Sequence, residues 1–349
     1  MGDQATNALV AIALGSVLAV LLLIPTAAVQ YRLDGRLGPL DLAILVTSAV
    51  YALAIWTYTL LPMPVDGTFA CKGSQLRVLG SLGLVHVPDS GGPLALLREP
   101  AFLQVVLNVL LFVPLGYFVR VILHRGVVVA TALGLGLSLL VELTQRTGVW
   151  HLYDCAYRLF DVDDLLANTA GALLGTAVAP VLLLLGRPGA DPDRDDARPV
   201  TVRRRAFGMA CDLLAILLTG GGLSSVVSIG LAVAERDPAS GVGVALLAAA
   251  PLVAPAAQLV LVLTTGRTLG EIVTRLRPEP RPSAGQRLVR WALGSGGWAL
   301  ASALSSTSAV AAAVAVVLAV GAVVGVWATR DRRGFANAVA RLGVVDERT

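Results

Sequence analysis

The chain has 349 residues, of which 56% are hydrophobic and only 14% are charged. A soluble globular domain carries about 25% charged residues, so this composition excludes an ordinary soluble protein. The mean hydropathy of +0.77 and several apolar stretches of the ~20 residues needed to cross a bilayer predict a polytopic membrane protein. The net charge of +4 does not indicate nucleic-acid binding, because the arginine clusters flank apolar stretches, where they set topology and contact anionic lipid headgroups. We therefore expect membrane lipids as partners and no nucleic acid.

The predicted fold is all-α, a polytopic helical bundle with about eight or nine transmembrane helices in two modules. The predicted spans are 7–29, 39–61, 102–123, 126–143, 164–185, 207–233 and 241–265, followed by a long apolar tract at 291–329. This tract crosses the membrane either once or as two short crossings or a re-entrant hairpin. Gly294–Gly297 and Ser305–Ser308 interrupt it, which favours the second arrangement and nine crossings, with eight as the alternative.

The distribution of basic residues predicts the orientation in the cell membrane. If the N-terminus lies outside, the inside segments hold 16 Lys and Arg residues and the outside loops hold six. The remaining five belong to the C-terminal tail, so a hairpin at 291–329 gives a split of 21 to six, and a single crossing gives 16 to 11. Because Lys and Arg favour the cytoplasmic side, we predict an outside N-terminus and a cytoplasmic C-terminus.

A mixed-charge segment, 187–204, divides the chain into two predicted membrane domains, 1–186 and 205–345. The segment contains prolines and interspersed Asp and Arg residues and has no helical hydrophobic period, which predicts a cytoplasmic linker. Another polar segment, 62–100, is predicted to be an outside loop, and loops of this length usually carry function or cover another part of the molecule.

Two of the three cysteines lie in predicted outside loops. Cys71 belongs to the loop 62–100, and Cys155 belongs to the loop 144–162. Under the predicted topology both face an oxidising compartment, where a disulfide between them can form. The opposite orientation would leave them as reduced thiols.

Polar side chains gather on or beside the predicted helices of the first domain. They are Asn108, Glu142, Gln145, Arg158, Asp161, Asp163, Asp164 and Asn168. Glu142 and Gln145 share one helix face because they are three residues apart, and Asp161, Asp164 and Asn168 share another, with steps of three and four. An ionisable side chain within the membrane costs about 2.5–3.5 kcal/mol on insertion scales. The set therefore predicts a polar ligand-binding pocket between helices.

A structural interpretation stays open for part of this set. Asp161 fits the N-cap of a helix, and Asp163 and Asp164 fit its first turn, where the helix dipole favours negative charge. Capping does not explain Glu142 near the end of another span, or Asn168 more than one turn into the membrane.

Further features of the first domain concern packing and charge balance. Gly171 and Gly175 are four residues apart and predict the close approach of another helix. Pro114 removes one hydrogen bond inside a predicted span and predicts a kink. Arg158 can neutralise one of the carboxylates, which would give a structural ion pair without a further role.

Three sequence blocks of the first domain follow one another in a characteristic order. They are Asn108-x-x-x-Phe112-x-Pro114-x-Gly116, Glu142-x-x-Gln145 and Arg158-x-x-Asp161-x-Asp163-Asp164-x-x-x-Asn168-x-x-Gly171-x-x-x-Gly175. Together they resemble the signature of VanZ-like proteins over about residues 40–185. The resemblance implies a membrane protein of the bacterial cell envelope, and the family's namesake lowers susceptibility to teicoplanin-type glycopeptides. The resemblance therefore indicates a cellular context but no reaction. The expected ligand is a lipid-linked precursor or a glycopeptide.

The second domain has a separate charged set, Arg205, Asp212 and Arg267. Asp212 lies two helical turns inside a span, where it should find a partner or a proton. These residues, with Arg332-Arg333-Gly334 after the last span, resemble the RDD family of small membrane domains over about 203–345. Gly208 and Asn337 depart from the family pattern, which has Ala and a second Asp there. The resemblance implies ion or proton exchange through Asp212 and Arg267, and a structural ion pair is the alternative.

The sequence lacks a phosphate-binding loop, a His-Glu-x-x-His motif and a Gly-x-Ser-x-Gly elbow, and we expect neither cofactor nor metal. His151 could still join Asp161 or Asp163 around a divalent cation. The leading hypothesis is a binding or modulating protein of the envelope rather than an enzyme. One alternative is a proton- or ion-coupled transporter or lipid translocator that uses Glu142 and Asp212. Another is a membrane-embedded, metal-dependent hydrolase or transferase built on the aspartate cluster.

Overall fold

A computed structural model describes residues 2–33, 35–61, 63–64, 69–80, 83, 96, 98–184 and 196–349. The prediction of an all-α polytopic membrane bundle is confirmed, since eight helices among the described residues are long and apolar enough to cross a membrane. They are Asn7–Arg32, Pro39–Leu60, Pro100–Val121, Val127–Arg146, Val162–Val181, Val202–Val233, Gly241–Thr265 and Ala309–Ala328. The strands of the described residues form two sheets of two strands each.

The chain divides into two compact units. Unit 1 comprises Met1–Ala19 and Val46–Gly189, and unit 2 comprises Val20–Leu45 and Ala190–Thr349. Helices α1 (Gly2–Leu33) and α2 (Pro39–Leu60) therefore contribute residues to both units. The predicted linker 187–204 lies partly outside the described residues, and its last three residues belong to helix α7 (Val202–Ile216).

Unit 1 is built around three membrane helices and a small parallel sheet. Its further elements are β1 (Ser74–Gln75), α3 (Pro100–Val121), α4 (Val127–Arg146), α5 (Gly148–His151), β2 (Phe160–Asp161) and α6 (Val162–Leu184). Helices α3 and α6 pack backbone against backbone: a Cβ atom at Gly171 would overlap the carbonyl oxygen of Val109, and one at Gly175 would overlap that of Val113. The spacing of these two glycines had predicted such an approach.

Unit 2 has two long spans that each contain a local change of helix type. Helix α7 continues through a π-helical turn (Leu217–Gly221) into α8 (Gly222–Val233), and α9 (Gly241–Ala249) continues through a 3₁₀ turn (Ala250–Leu252) into α10 (Val253–Thr265). The remaining elements are α11 (Leu269–Val273), β3 (Leu276–Glu279), α12 (Ala284–Leu293), α13 (Ser295–Ala303), α14 (Ala309–Ala328), α15 (Phe335–Val339) and β4 (Gly343–Asp346). Strands β3 and β4 pair antiparallel.

The apolar tract 291–329 forms a short helix followed by a long one. Helix α13 has nine residues, a length of about 13.5 Å at 1.5 Å per residue, which is too short to cross the membrane alone. Helix α14 is long enough. Arg290 before the tract donates from Nε to Oδ1 of Asn337 after it, at 2.6 Å. The tract therefore begins and ends at the same end of unit 2, as in the hairpin alternative, although its first arm is not a complete span.

Candidate functional site

The N-terminus of α6 is fixed by two of the predicted acidic residues. The Oδ1 atom of Asp161 accepts a hydrogen bond from the backbone N–H of Asp163 at 2.9 Å, as an N-cap does. The same oxygen accepts from Nε2 of Gln75 at 3.3 Å, and Oδ1 of Asp163 accepts from the backbone N–H of Leu79 at 2.6 Å. These two carboxylates thus have a structural role, because they start α6 and hold the segment 69–80 beside it.

The carboxylates of Glu142 and Asp164 have amide partners. Glu142 is only 2% exposed, and its Oε2 atom accepts from the backbone N–H of Asp161 at 3.0 Å. Oδ1 of Asp164 accepts from Nδ2 of Asn108 at 2.5 Å and from Nε2 of Gln104 at 3.4 Å. Among the described residues, neither carboxylate forms a salt bridge with an Arg or Lys side chain. Helices α3, α4 and α6 therefore bring together acids and amides without a cation contacting these two acids.

Asn168 adds an unpaired acceptor one helical turn after Asp164. Its Nδ2 group donates to Oγ of Ser138 at 2.9 Å, and Ser138 is completely buried. Its Oδ1 atom is buried and has no hydrogen-bond partner among the residues that the structure describes, although an unsatisfied buried polar group costs about 1–3 kcal/mol. The acid–amide cluster is the name we use for Asn108, Glu142, Asp161, Asp163, Asp164 and Asn168.

Two predicted pocket residues make their hydrogen bonds elsewhere. Arg158 donates from Nη2 to the carbonyl oxygen of Leu61 at 2.7 Å, and Gln145 donates from Nε2 to the carbonyl oxygen of Thr59 at 2.8 Å. Both side chains therefore secure the C-terminal end of α2. The ion pair considered for Arg158 is absent from the described contacts, because its guanidinium group is directed to a backbone carbonyl and not to a carboxylate.

The loops around the cluster are tied together covalently and by hydrogen bonds. Cys71 and Cys155 form a disulfide with a Cα–Cα distance of 5.6 Å. Strand β1 pairs with β2, which carries Asp161. The hydroxyl of Tyr157 donates to the carbonyl oxygen of Leu60 at 2.8 Å, and burial raises the pKa of this phenol, so the proton needed for that bond is retained. These contacts therefore fix the loops that carry Cys71 and Cys155 next to Asp161 of the acid–amide cluster.

The residue considered as a metal ligand, His151, lies in the short element α5. All four residues of α5 have positive φ angles, and the His151 side chain is exposed. Within the ranges that the structure describes, no group of three or more His, Cys, Asp or Glu residues is arranged to hold a metal ion.

This geometry can be compared with known proteins. Residues 48–184 match the VanZ/LLP1 family. The N-terminal part of the chain is VanZ-like. The match includes all of α3, α4 and α6 and every member of the acid–amide cluster. No curated protein and no solved structure matches the chain. Because the family match ends at residue 184, the resemblance of 203–345 to the RDD family stays a prediction.

The charged residues predicted for the second domain are not all brought together. The Oδ1 atom of Asp212 accepts from the backbone N–H of Gly270 at 2.8 Å. Arg267 instead pairs through Nη1 with Oε2 of Glu347 at 3.0 Å. The predicted pairing of Asp212 with Arg267 is therefore not formed. Asp212 stabilises the start of α11, and Arg267 lies in a partly exposed ion pair.

Unit 2 contains a buried charge network that the sequence analysis missed. Glu271 accepts from Nη2 of Arg290 at 2.6 Å and from Nη1 of Arg205 at 3.3 Å, and all three residues are less than 10% exposed. Burial alone would raise the pKa of Glu271, but the guanidinium groups of Arg290 and Arg205 hold it below its usual value. The available signal was the Thr268-x-x-Glu271 spacing, which predicts the capping box that starts α11.

A second carboxylate of unit 2 is also held by arginines. Oδ2 of Asp346 lies 2.7 Å from Nη1 of Arg204, and its Oδ1 lies 2.8 Å from Nε of Arg348. Burial opposes ionisation, but the hydrogen bonds from Arg348 and Arg204 hold the pKa of Asp346 well below its usual range. Strand β4 is thereby fixed to the start of α7.

Proposed function

We propose that the VanZ-like part binds an envelope component through the acid–amide cluster and in this way lowers susceptibility to teicoplanin-type glycopeptides. The observation that carries the proposal is the buried Oδ1 atom of Asn168, an acceptor without a partner in the described part of the chain. It lies one turn from Asp164, and Asn168 contacts the helix that carries Glu142. A purely structural network would be expected to satisfy this oxygen.

The chemistry of the cluster indicates the kind of group that it binds. Ionised carboxylates and an amide oxygen only accept hydrogen bonds. They suit a ligand that offers hydroxyl, amide or ammonium donors, and hydrogen bonds that involve an ionised partner are about twice as strong as neutral ones. Lipid-linked sugar and peptide precursors, and glycopeptides, carry such donors. When Glu142 and Asp164 are ionised, they would also repel an isolated phosphate group.

We also propose that the cluster faces the outside of the cell, with an outside N-terminus and a cytoplasmic C-terminus. Disulfides persist in oxidising compartments, and Cys71 and Cys155 belong to the loops that adjoin the cluster. A hairpin at 291–329 supports the same orientation. With it, 21 basic residues lie inside and six outside, whereas a single crossing gives 16 and 11, and Lys and Arg favour the cytoplasmic side.

The test is the susceptibility of a sensitive Gram-positive host to teicoplanin, with vancomycin in parallel. The host carries empty vector, the wild-type chain, Glu142→Gln, Asn168→Leu or Asp154→Asn at matched membrane levels. Asp154 is an exposed carboxylate of a neighbouring loop and lies outside the cluster. We expect protection from the wild type and Asp154→Asn, and none from the two cluster variants. Full protection by Glu142→Gln and Asn168→Leu would reject the cluster as the site, and no protection by the wild type would reject the resistance proposal.

A further inference from the structure

Unit 2 contains a cavity of about 450 Å³ that is unrelated to the acid–amide cluster. It lies among α7, α11, α12, α13, α14 and α15. One end is polar and is lined by Arg205, Asp212, Glu271, Arg290, Arg333 and Asn337. The rest is apolar, with Ile216, Trp298, Leu318, Ala322 and Val326 among its lining residues. The cavity thus has the polarity of an amphiphile, with a charged end and a longer apolar part.

The arginines at the polar end differ in how completely their donors are used. Arg290 donates from Nε to Asn337, from Nη1 to the carbonyl oxygen of Gly266 and from Nη2 to Glu271. Within the part of the chain that the structure describes, Arg205 makes two longer bonds, at 3.3 Å to Glu271 and at 3.2 Å to the carbonyl oxygen of Arg333. Its Nε atom is buried and has no hydrogen-bond partner among the described residues, and the residue is 8% exposed. Arg290 is therefore a structural residue, whereas Arg205 has donors available.

Arg333 supplies a second unused donor at the same end of the cavity. Its Nε atom is buried and has no hydrogen-bond partner in the described ranges of the chain. Its carbonyl oxygen accepts from Arg205, so the two arginines adjoin one another. Three arginines face two carboxylates at this end, Asp212 and Glu271. The lining therefore carries one more positive than negative charge when all five groups are ionised. An anion between Arg205 and Arg333 would balance that charge and use both unpaired donors.

The apolar part of the cavity opens toward the surface of the bundle that faces lipid. Among its lining residues, Leu213 is 41% exposed, Val323 is 60% exposed and Trp327 is 74% exposed. Arg205 lies in the first turn of the span Val202–Val233, and the ends of a membrane span lie close to the lipid headgroups. Basic pockets between membrane helices at this depth are suited to anionic lipid headgroups. A soluble anion would leave the long apolar part of the cavity unfilled.

We propose that this cavity binds an anionic phospholipid, with its phosphate on Arg205 and Arg333 and one acyl chain along α14 beside Ala322. The phosphate oxygens would accept hydrogen bonds from the Nε–H groups of Arg205 and Arg333. The acyl chain would fill the apolar part, which the helices of unit 2 leave unoccupied by side chains. The site would fix a lipid at the end of unit 2 where α7, α12 and the C-terminal segment meet.

The experiment uses the full chain in a nonionic detergent and measures bound lipid by native mass spectrometry. The probes are dioleoyl phosphatidic acid, dioleoyl phosphatidylcholine and inorganic phosphate. The proteins are the wild type, Arg205→Gln, Ala322→Phe and, as a matched control, Arg267→Gln, since Arg267 does not line the cavity. We expect the wild type and the control to bind phosphatidic acid more tightly than phosphatidylcholine. Arg205→Gln should weaken phosphatidic acid binding about tenfold, the effect expected for one lost charge-assisted hydrogen bond.

Ala322→Phe keeps the test decisive if Arg205→Gln does not fold, because it blocks the apolar part and leaves every hydrogen bond of the arginines in place. We expect this variant to lose phosphatidic acid binding. Unchanged binding by Arg205→Gln or by Ala322→Phe would overturn the proposal. So would Arg205-dependent binding of inorganic phosphate at the affinity of phosphatidic acid, which would identify a free-phosphate site.

Discussion

Both units bury a glutamate, but they compensate its charge in different ways. Glu142 of unit 1 is 2% exposed and accepts a backbone N–H, whereas Glu271 of unit 2 is 5% exposed and contacts Arg290 and Arg205. Desolvation of a carboxylate is costly, and a paired carboxylate is a structural element whose loss leaves the partner charges uncompensated. Burial alone therefore does not identify a functional acid. A buried acid with no contacting cation, next to an unpaired acceptor, is the better candidate for ligand binding.

The largest expected effect is a difference in stability between the same Glu→Gln substitution in the two units. Glu271→Gln removes the negative charge between two buried arginines, and we expect a loss of about 3–5 kcal/mol in the free energy of unfolding. Glu142→Gln keeps a side-chain oxygen that can accept the Asp161 N–H, and we expect a loss below about 1 kcal/mol. Thermal unfolding of the purified full chain measures both effects. Equal losses for the two variants would contradict the distinction between a structural and an available carboxylate.

A smaller effect is expected at the helix contact on which the acid–amide cluster depends. Gly175→Val places side-chain atoms against the backbone of α3, so the helices must separate, and we expect a loss of about 1–3 kcal/mol. Gly136→Val is the matched control, because a Cβ atom at Gly136 meets no described atom of another element within 4 Å. The measurement is again thermal unfolding, together with teicoplanin susceptibility at matched membrane levels. If both variants behave alike, the close packing of α3 on α6 is not what holds the cluster.

The sequence predicted contacts that follow from spacing along one helix, and it missed those that depend on how helices meet. Gly171 and Gly175 correctly indicated a close helix contact, since residues four apart share a face. Arg158 was expected near the carboxylates, but its guanidinium group reaches the end of α2. The pairing of Glu271 with Arg290 depends on how the chain returns through β3 so that α12, which carries Arg290, lies beside α11. Spacing along a single helix does not predict this arrangement. The bounds of α13 could also be predicted only approximately, because its Ala, Gly and Ser residues give few clear signals of where a helix begins or ends.

The smallest effect concerns acid stability, to which unit 2 contributes through its paired carboxylates. The pKa values of Glu271 and Asp346 are lower in the folded chain than their ordinary values of 4.5 and 3.8. Each carboxylate therefore stabilises the folded state above its ordinary pKa, and this contribution is lost as the pH falls toward the lower folded pKa. We expect the unfolding temperature of the wild type to fall as the pH is lowered below about 4.5, the ordinary pKa of the glutamate. Asp346→Asn should be less stable than the wild type at about pH 6, and the difference should narrow as the pH falls below about 3.8. A constant difference between them across this range would contradict the assignment.

The most direct test of the central claim, that the acid–amide cluster faces the outside of the cell, is the accessibility of Cys71 and Cys155. Intact cells that express the chain are treated with a membrane-impermeant phosphine reductant and then with a membrane-impermeant maleimide, before and after lysis. Cys211 is buried and serves as the internal control. We predict that Cys71 and Cys155 are labelled in intact cells only after reduction, and that Cys211 stays unlabelled. Labelling of Cys71 and Cys155 only after lysis would place these loops in the cytoplasm and contradict an outward-facing cluster.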